Sequence, residues 1–290
     1  GGVCGGVRRG RRAAVSGDPA AGRTPQVRPP KGGRRYRMAI AYDGGGFSGW
    51  QVQPEKTTVQ GALEGAFLRL TGETVRVHSC GRTDTGVHAR AQVAHFDLAR
   101  PWEARRLQTG LNALLPDSVR VTELRRARPD FHARYDATGK EYRYTVWNAP
   151  LHCPLHRLHA VHVRQPLDVA AMRQAAAMLV GTHDFAAFSA NPHREIGGTV
   201  RTLWRLAVRK QGNVVTISAV GDGFLYKMVR SLAGHLLRVG KGAIAAEETP
   251  GLLASQCRTA RVETAPAHGL CLWKIHYGAI PGLPKPKPLC

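Results

Sequence analysis

From residue 36 onward the apolar periodicity runs strand, helix, strand, strand, helix, strand, and then the same order comes round again. That repeat constrains the fold more than any other feature, because β-α-β-β-α-β is the split βαβ, or ferredoxin-like, unit. In the first copy Tyr36, Met38, Ile40 and Tyr42 share one face of an alternating strand. A glycine-rich loop, 43–51, leads to a helix with Val59, Ala62, Leu63, Ala66, Phe67 and Leu70 at helical spacing. Thr57 or Thr58 can cap its start, and Gly72 closes it. Strands at 74–79 and 92–96, a helix near 102–114 and a strand near 118–125 complete the unit.

The second copy opens on a strand over 138–147, with Tyr142, Tyr144 and Val146 on one face. A helix near 168–180 turns Val169, Met172, Ala176 and Leu179 inward, and strands near 200–209 and 213–220 are joined by a turn at 210–213. A helix near 225–239 and a strand over 270–277 finish the set. The chain therefore reads as an α/β (α+β) fold of two ferredoxin-like subdomains, 36–137 and 138–278. Their antiparallel sheets can join and leave a basic central cleft where the halves meet. Residues 1–35 and 279–290 read as tails.

Charge narrows the partner. The net charge is +22, of which the nine Arg or Lys of residues 1–35, set against Asp18 alone, supply +8; the other 255 residues keep +14. A surplus on that scale favours a polyanion, most simply nucleic acid, over an anionic membrane surface. The Gly-, Pro- and Arg-rich leader lacks the apolar residues to fold and reads as disordered. It suits an organelle transit peptide or a bacterial tail equally, so the expected location is cytoplasmic or organellar. No apolar run approaches the roughly 20 residues that cross a bilayer. Six scattered cysteines, with no Cys-x-x-Cys pair, suggest reduced thiols. His152, Cys153, His156 and His159 form the one metal-like cluster, but Pro154 interrupts it, and no metal is expected there.

Three stretches could carry chemistry. Residues 81–89, Gly-Arg-Thr-Asp-Thr-Gly-Val-His-Ala, set one carboxylate, Asp84, on a glycine-flanked loop between strands, two residues after Arg82. The segment fits either a plain hairpin turn with a surface ion pair or a loop that presents a reactive group. It holds no second acid, so paired-carboxylate chemistry of the glycosidase kind is excluded. A lone ionised carboxylate beside an arginine suits a nucleophile better than an acid. In Lys140-Glu-Tyr-Arg-Tyr144, Tyr142 is either a core ring or a platform for an unstacked base. In 224–230, Arg230 can point away from the apolar stripe of the helix that follows. The glycines at 44–46 lack the Lys-Ser/Thr of a phosphate-cradling loop.

Taken in order, Tyr42-Asp43-Gly44, Gly49-Trp50-Gln51, the nonapeptide 81–89, Phe131-His132-Ala133-Arg134, residues 140–144, Met228-Val229-Arg230 and Gly269-Leu270 match a known pattern. The chain resembles the tRNA pseudouridine synthases of the TruA type over about residues 36 to 277. Thr85, where the family often has Ala, and Ser231, where Asn is common, are small departures. The resemblance implies a cofactor-free isomerisation of uridine in the tRNA anticodon stem-loop, around tRNA positions 38 to 40, by a homodimer. It implies Asp84 as nucleophile, Arg82 as its ion-pair partner and a wedge for the flipped base, Tyr142 against the uracil, and Arg230 as a basic partner of the carboxylate. Trp50, Gln51, His88 and Lys227 are the further residues it places against substrate. Attack at the sugar C1′ and temporary deprotonation of the ribose both remain open to a lone carboxylate. A non-catalytic RNA-binding protein on the same fold is the alternative reading.

Overall fold

The alternation at 36–42 becomes a strand because it puts Tyr36, Met38 and Ile40, all fully buried, into the core while the backbone pairs on both edges. This strand, β1, spans Arg34–Tyr42 in the computed structural model, which describes residues 32–192 and 197–280. The expected tails fall mostly outside the described residues. Arg35, assigned to the leader by its charge, instead belongs to the sheet. Its guanidinium grips Asp97 with two hydrogen bonds, 2.8 and 2.7 Å, and donates a third to the Phe131 carbonyl at 3.0 Å. The acid that neutralises it lies 62 positions away, beyond the reach of local charge counting.

The first half follows with α1 (Val59–Thr71), β2 (His78–Ser79), β3 (His88–Leu98), α2 (Ala104–Leu114) and β4 (Val119–Arg126). Thr58, not Thr57, caps α1 by accepting from the Gly61 N–H, and Gly72 ends it in the left-handed region at φ 73°. Glu103 caps α2 through both carboxylate oxygens. The strand expected over 74–79 shrinks to two residues, and β3 starts four residues earlier than the apolar run at 92–96 announces.

The second half comprises β5 (Gly139–Asn148), β6 (Val161–Val163), α3 (Val169–Met178), β7 (Gly181–Asp184), β8 (Val200–Gln211), β9 (Val214–Gly221), α4 (Met228–Gly240), α5 (Thr249–Ala254) and β10 (Leu270–His276). β6, β7 and α5 are additions to the expected set; each is too short to impose a period on the sequence. No described helix is long and apolar enough to cross a membrane.

All ten strands form one sheet in the order β4-β1-β3-β10-β5-β9-β8-β7, with β2 on β3 and β6 on β5. With the added β6 and β7 set aside, the strands of each half repeat one arrangement, fourth-first-third-second: β4-β1-β3-β2 and β10-β5-β9-β8. The halves meet where β3 and β10 run parallel, His88 opposite Cys271 and Ala89 opposite Leu272. β2 pairs with His95 and Ala94 of that same β3. The shortness of β2 leaves the start of β3 open for β10, and the loop carrying Asp84 stands beside this junction.

Candidate active site

The Asp84 loop is held by backbone and side-chain hydrogen bonds where strand pairing stops. The Cys80 N–H donates to the Val93 carbonyl at 2.8 Å, Gln92 Nε2 donates to the Gly81 carbonyl at 2.6 Å, and the Trp50 N–H to the Thr83 carbonyl at 3.1 Å. The hydroxyls of Tyr42 and Thr83 share a hydrogen bond of 2.8 Å. Beyond Asp84 the chain turns back at once, with the Val87 N–H on the Asp84 carbonyl at 3.1 Å. Gly86 sits at φ 78°, the positive value that the third position of a type II turn demands. At Gly49 a Cβ would lie 2.7 Å from the Thr83 carbonyl oxygen, so only glycine lets these two loops pack. Gly81 does not have a positive φ; its bare Cα makes room for Lys140 Nζ.

Asp84 meets Arg230 across the junction. Arg230 stands in the first turn of α4, and its Nη1 donates to Asp84 Oδ2 at 3.0 Å. Its Nε is fixed on the Ala265 carbonyl at 2.8 Å, so the guanidinium is aimed before any substrate arrives. Both side chains are largely shielded, at 14% and 25% exposure, which strengthens their attraction relative to a surface pair. Oδ1 of Asp84 has no hydrogen-bond partner among the described residues.

The pair lines a cleft of about 760 Å³. Tyr142 forms part of its wall, packed edge to face on Phe224 with ring centroids 5.2 Å apart. Burial, above all, and the neighbouring negative charges, including Asp84, push the Tyr142 hydroxyl well above the usual tyrosine range, so it is protonated at neutral pH. Seven Arg or Lys side chains line the cleft against two carboxylates, Asp84 and Asp97. Asp97 is committed to Arg35, which leaves Asp84 as the acid with an oxygen to offer.

A family model described as tRNA pseudouridine synthase matches residues 38–136 and 175–278, the two halves that build this cleft. The chain belongs to the tRNA pseudouridine synthase family. The tRNA pseudouridine synthase A of Solidesulfovibrio magneticus is 48% identical over 259 residues, covering 86% of this chain and 94% of that relative. Those of Brevibacillus brevis and Pelobacter propionicus are 46% and 44% identical over 245 and 244 residues, 84% of this chain and all of each relative. The activity is therefore an isomerisation, uridine to pseudouridine in tRNA.

Within this pseudouridine synthase the expected site residues divide. Asp84, Arg82, Tyr142, Arg230, Gln51 and Lys227 all line the cleft. Arg82, however, is exposed and makes no ion pair with Asp84; the pairing expected of it is made by Arg230 alone among the described residues. Two residues apart on a tight loop, Arg82 and Asp84 do not converge. Trp50 also lines the cleft but is 1% exposed, and its backbone N–H and carbonyl brace the Asp84 loop and α1.

His88 does not line the cleft at all. It is buried at the head of β3, with Nδ1 accepting from the Gly44 N–H at 3.0 Å and Nε2 3.1 Å from the His268 carbonyl. Lys140 is the residue the sequence reading passed over. It lines the cleft and donates from Nζ to the Cys80 carbonyl at 3.3 Å. The signal was present, since a two-residue period puts Lys140 on the Tyr142 face of β5. The metal-like run at 152–159 disperses: His156 stacks on Trp147, His152 meets His162, and His159 turns toward His88.

Proposed function

We propose that this enzyme isomerises uridines in the anticodon stem-loop of tRNA, at tRNA positions 38 to 40, with Asp84 as the nucleophile, and that it acts as a homodimer with one tRNA touching both subunits. The observation that carries the assignment of Asp84 is its division of labour: Oδ2 is neutralised by Arg230 while Oδ1 is unclaimed within a basic cleft. A uracil in a stem is out of reach, so the base must be extruded, at a cost of a few kcal/mol. The exposed Arg82 guanidinium is suited to holding the strand in that state, and the Tyr142 ring to stacking against the base.

In the attack path, an Asp84 oxygen bonds to C1′ as the N1–C1′ bond breaks, its electron pair leaving with the base. The uracil turns, C5 bonds to C1′, and the carboxylate departs. C5 then loses its proton and N1 gains one, which balances the isomerisation. Because Tyr142 starts protonated, it can accept the C5 proton only by passing on its own. In the other path the same carboxylate removes the ribose C2′ proton as the N1–C1′ bond breaks, and returns it to C2′ when C5 bonds to C1′. Asp84→Asn is expected to lower turnover by at least about 10³-fold while tRNA affinity stays near wild type. Pseudouridine mapping in bulk tRNA treated with each protein checks both the residue and the sites: turnover by the variant sinks the nucleophile, and modification confined to another arm sinks the anticodon assignment.

A further inference from the structure

Asp43, His88 and His159 come from three segments far apart in sequence and meet at the seam between the halves, outside the catalytic cleft. Asp43 follows the last residue of β1, His88 opens β3, and His159 belongs to the segment leading to β6 in the other half. Nδ1 of His88 lies 3.0 Å from Asp43 Oδ1, and Nε2 of His159 lies 3.6 Å from Asp43 Oδ2. The three ligand atoms all fall within 4.8 Å of one another, and the two imidazoles meet edge to face at 4.6 Å.

With Nε2 of His88 donating to the His268 carbonyl, the Nδ1 lone pair accepts from the Gly44 N–H while a carboxylate oxygen stands 3.0 Å from the same nitrogen. Two acceptors at that distance repel unless positive charge lies on the ring or between them. The Gly44 N–H donates to Nδ1, and the Gly45 N–H to Asp43 Oδ1 at 2.9 Å, yet neither neutralises the carboxylate.

The geometry points to a divalent-cation site of the zinc class, with the Asp43 carboxylate, His88 Nδ1 and His159 Nε2 as protein ligands and water as the fourth. Tetrahedral zinc with bonds near 2.0–2.1 Å sets its ligand atoms about 3.3 Å apart; here His88 Nδ1 lies 3.0 Å from one Asp43 oxygen and His159 Nε2 3.6 Å from the other, so a small rotation of the carboxylate offers one oxygen to both. A ligating histidine characteristically donates its other N–H to a carbonyl or carboxylate, as His88 does to His268. Two imidazoles and one carboxylate suit zinc better than magnesium or calcium, which favour all-oxygen sites. His159 is 57% exposed on its side chain, which gives an ion a way in. The ion competes with the Gly44 N–H for one lone pair, so affinity decides the matter. Bound there, it would tie the ends of β1 and β3 to the opposite half without touching the reacting atoms.

The test is a zinc titration of the full chain, stripped with chelator and followed by competition against a chromophoric chelator, with cobalt(II) absorption reporting coordination number. One zinc per chain and a tetrahedral cobalt spectrum are expected. His159→Gln, at an exposed position that folding tolerates, should weaken zinc binding about tenfold or more. His156→Gln, whose ring stacks on Trp147 instead, should leave it unchanged. The site is refuted by the absence of zinc binding, by equal affinity in His159→Gln, or by magnesium raising thermal stability as much as zinc does.

Discussion

The two halves share a strand order and part company at one hairpin. In the C-terminal half β8 and β9 pair from Leu203 opposite Gly221 to Gln211 opposite Val214, closed by a turn with Gly212 at φ 57°. In the N-terminal half the equivalent second strand, β2, keeps two residues, and the loop after it carries Asp84. One topology thus yields a rigid hairpin or a chemical loop, depending on how much of a strand is given up. What pairing no longer supplies, side chains do: Gln92, Tyr42 and Lys140 take over the fastening of residues 80–83. Function sits where a repeated architecture departs from its own pattern.

Cutting the link between the halves tests that contrast most severely. Arg230→Ala is expected to lower kcat by about 10³-fold, since a preorganised charge beside the reacting group is lost. A double variant with Asp84→Asn should be no worse than Asp84→Asn alone, and additive losses would show that the two do not act as a unit. Tyr142→Phe should come next, at about 10²-fold in turnover with little change in melting temperature. If stability and activity fall together, the hydroxyl is a packing group and the C-terminal half contributes only Arg230.

The two positive-φ turns then separate loop from hairpin. Gly212→Ala, with no atom within 4 Å of the new methyl, should cost about 1 kcal/mol of stability and leave kcat intact. Gly86→Ala should cost similar stability but about tenfold in kcat as well, because it moves the Asp84 turn. Equal kcat in both variants would remove the distinction between the two hairpins.

The smallest expected effect is one the halves share. Each buries a neutral histidine: His95, pushed down to about 3 by burial and by the charges of His132, His78 and Arg35, and His235, pushed down to about 4 by burial and Arg238. Between roughly pH 6.5 and 4 the unfolded chain binds protons at these rings that the folded chain refuses, so stability falls as pH falls through that window. Chemical denaturation at pH 7.5 and 5 should show the loss, and either His95→Gln or His235→Gln should reduce its slope by on the order of 1 kcal/mol per pH unit. A slope unchanged by both substitutions would assign the acid sensitivity elsewhere.

How much of this was legible in the residues follows from range. Elements with a full period, such as β1, α1, α4 and the β8–β9 hairpin, were readable because three or more apolar residues repeat on one face. That Asp84, Tyr142 and Arg230 share one cleft was readable through resemblance. The parallel β3–β10 junction was not, for it rests on two residue pairs nearly 200 positions apart with no local signature. Trp50 and His88, expected against substrate, also brace neighbouring loops through hydrogen bonds, a role that no local pattern announces. Arg35 shows the same limit for charge, since its partner is supplied by β3.

The guanidinium that neutralises Asp84 is added 146 residues later, its own Ala265 anchor later still, and the strand that seals the sheet, Leu270–His276, after that. A ribosome therefore releases Asp84 long before the groups that pair with it have been synthesised. The Asp84–Arg230 pair and the sheet that supports it can come together only once the final described strand has been made.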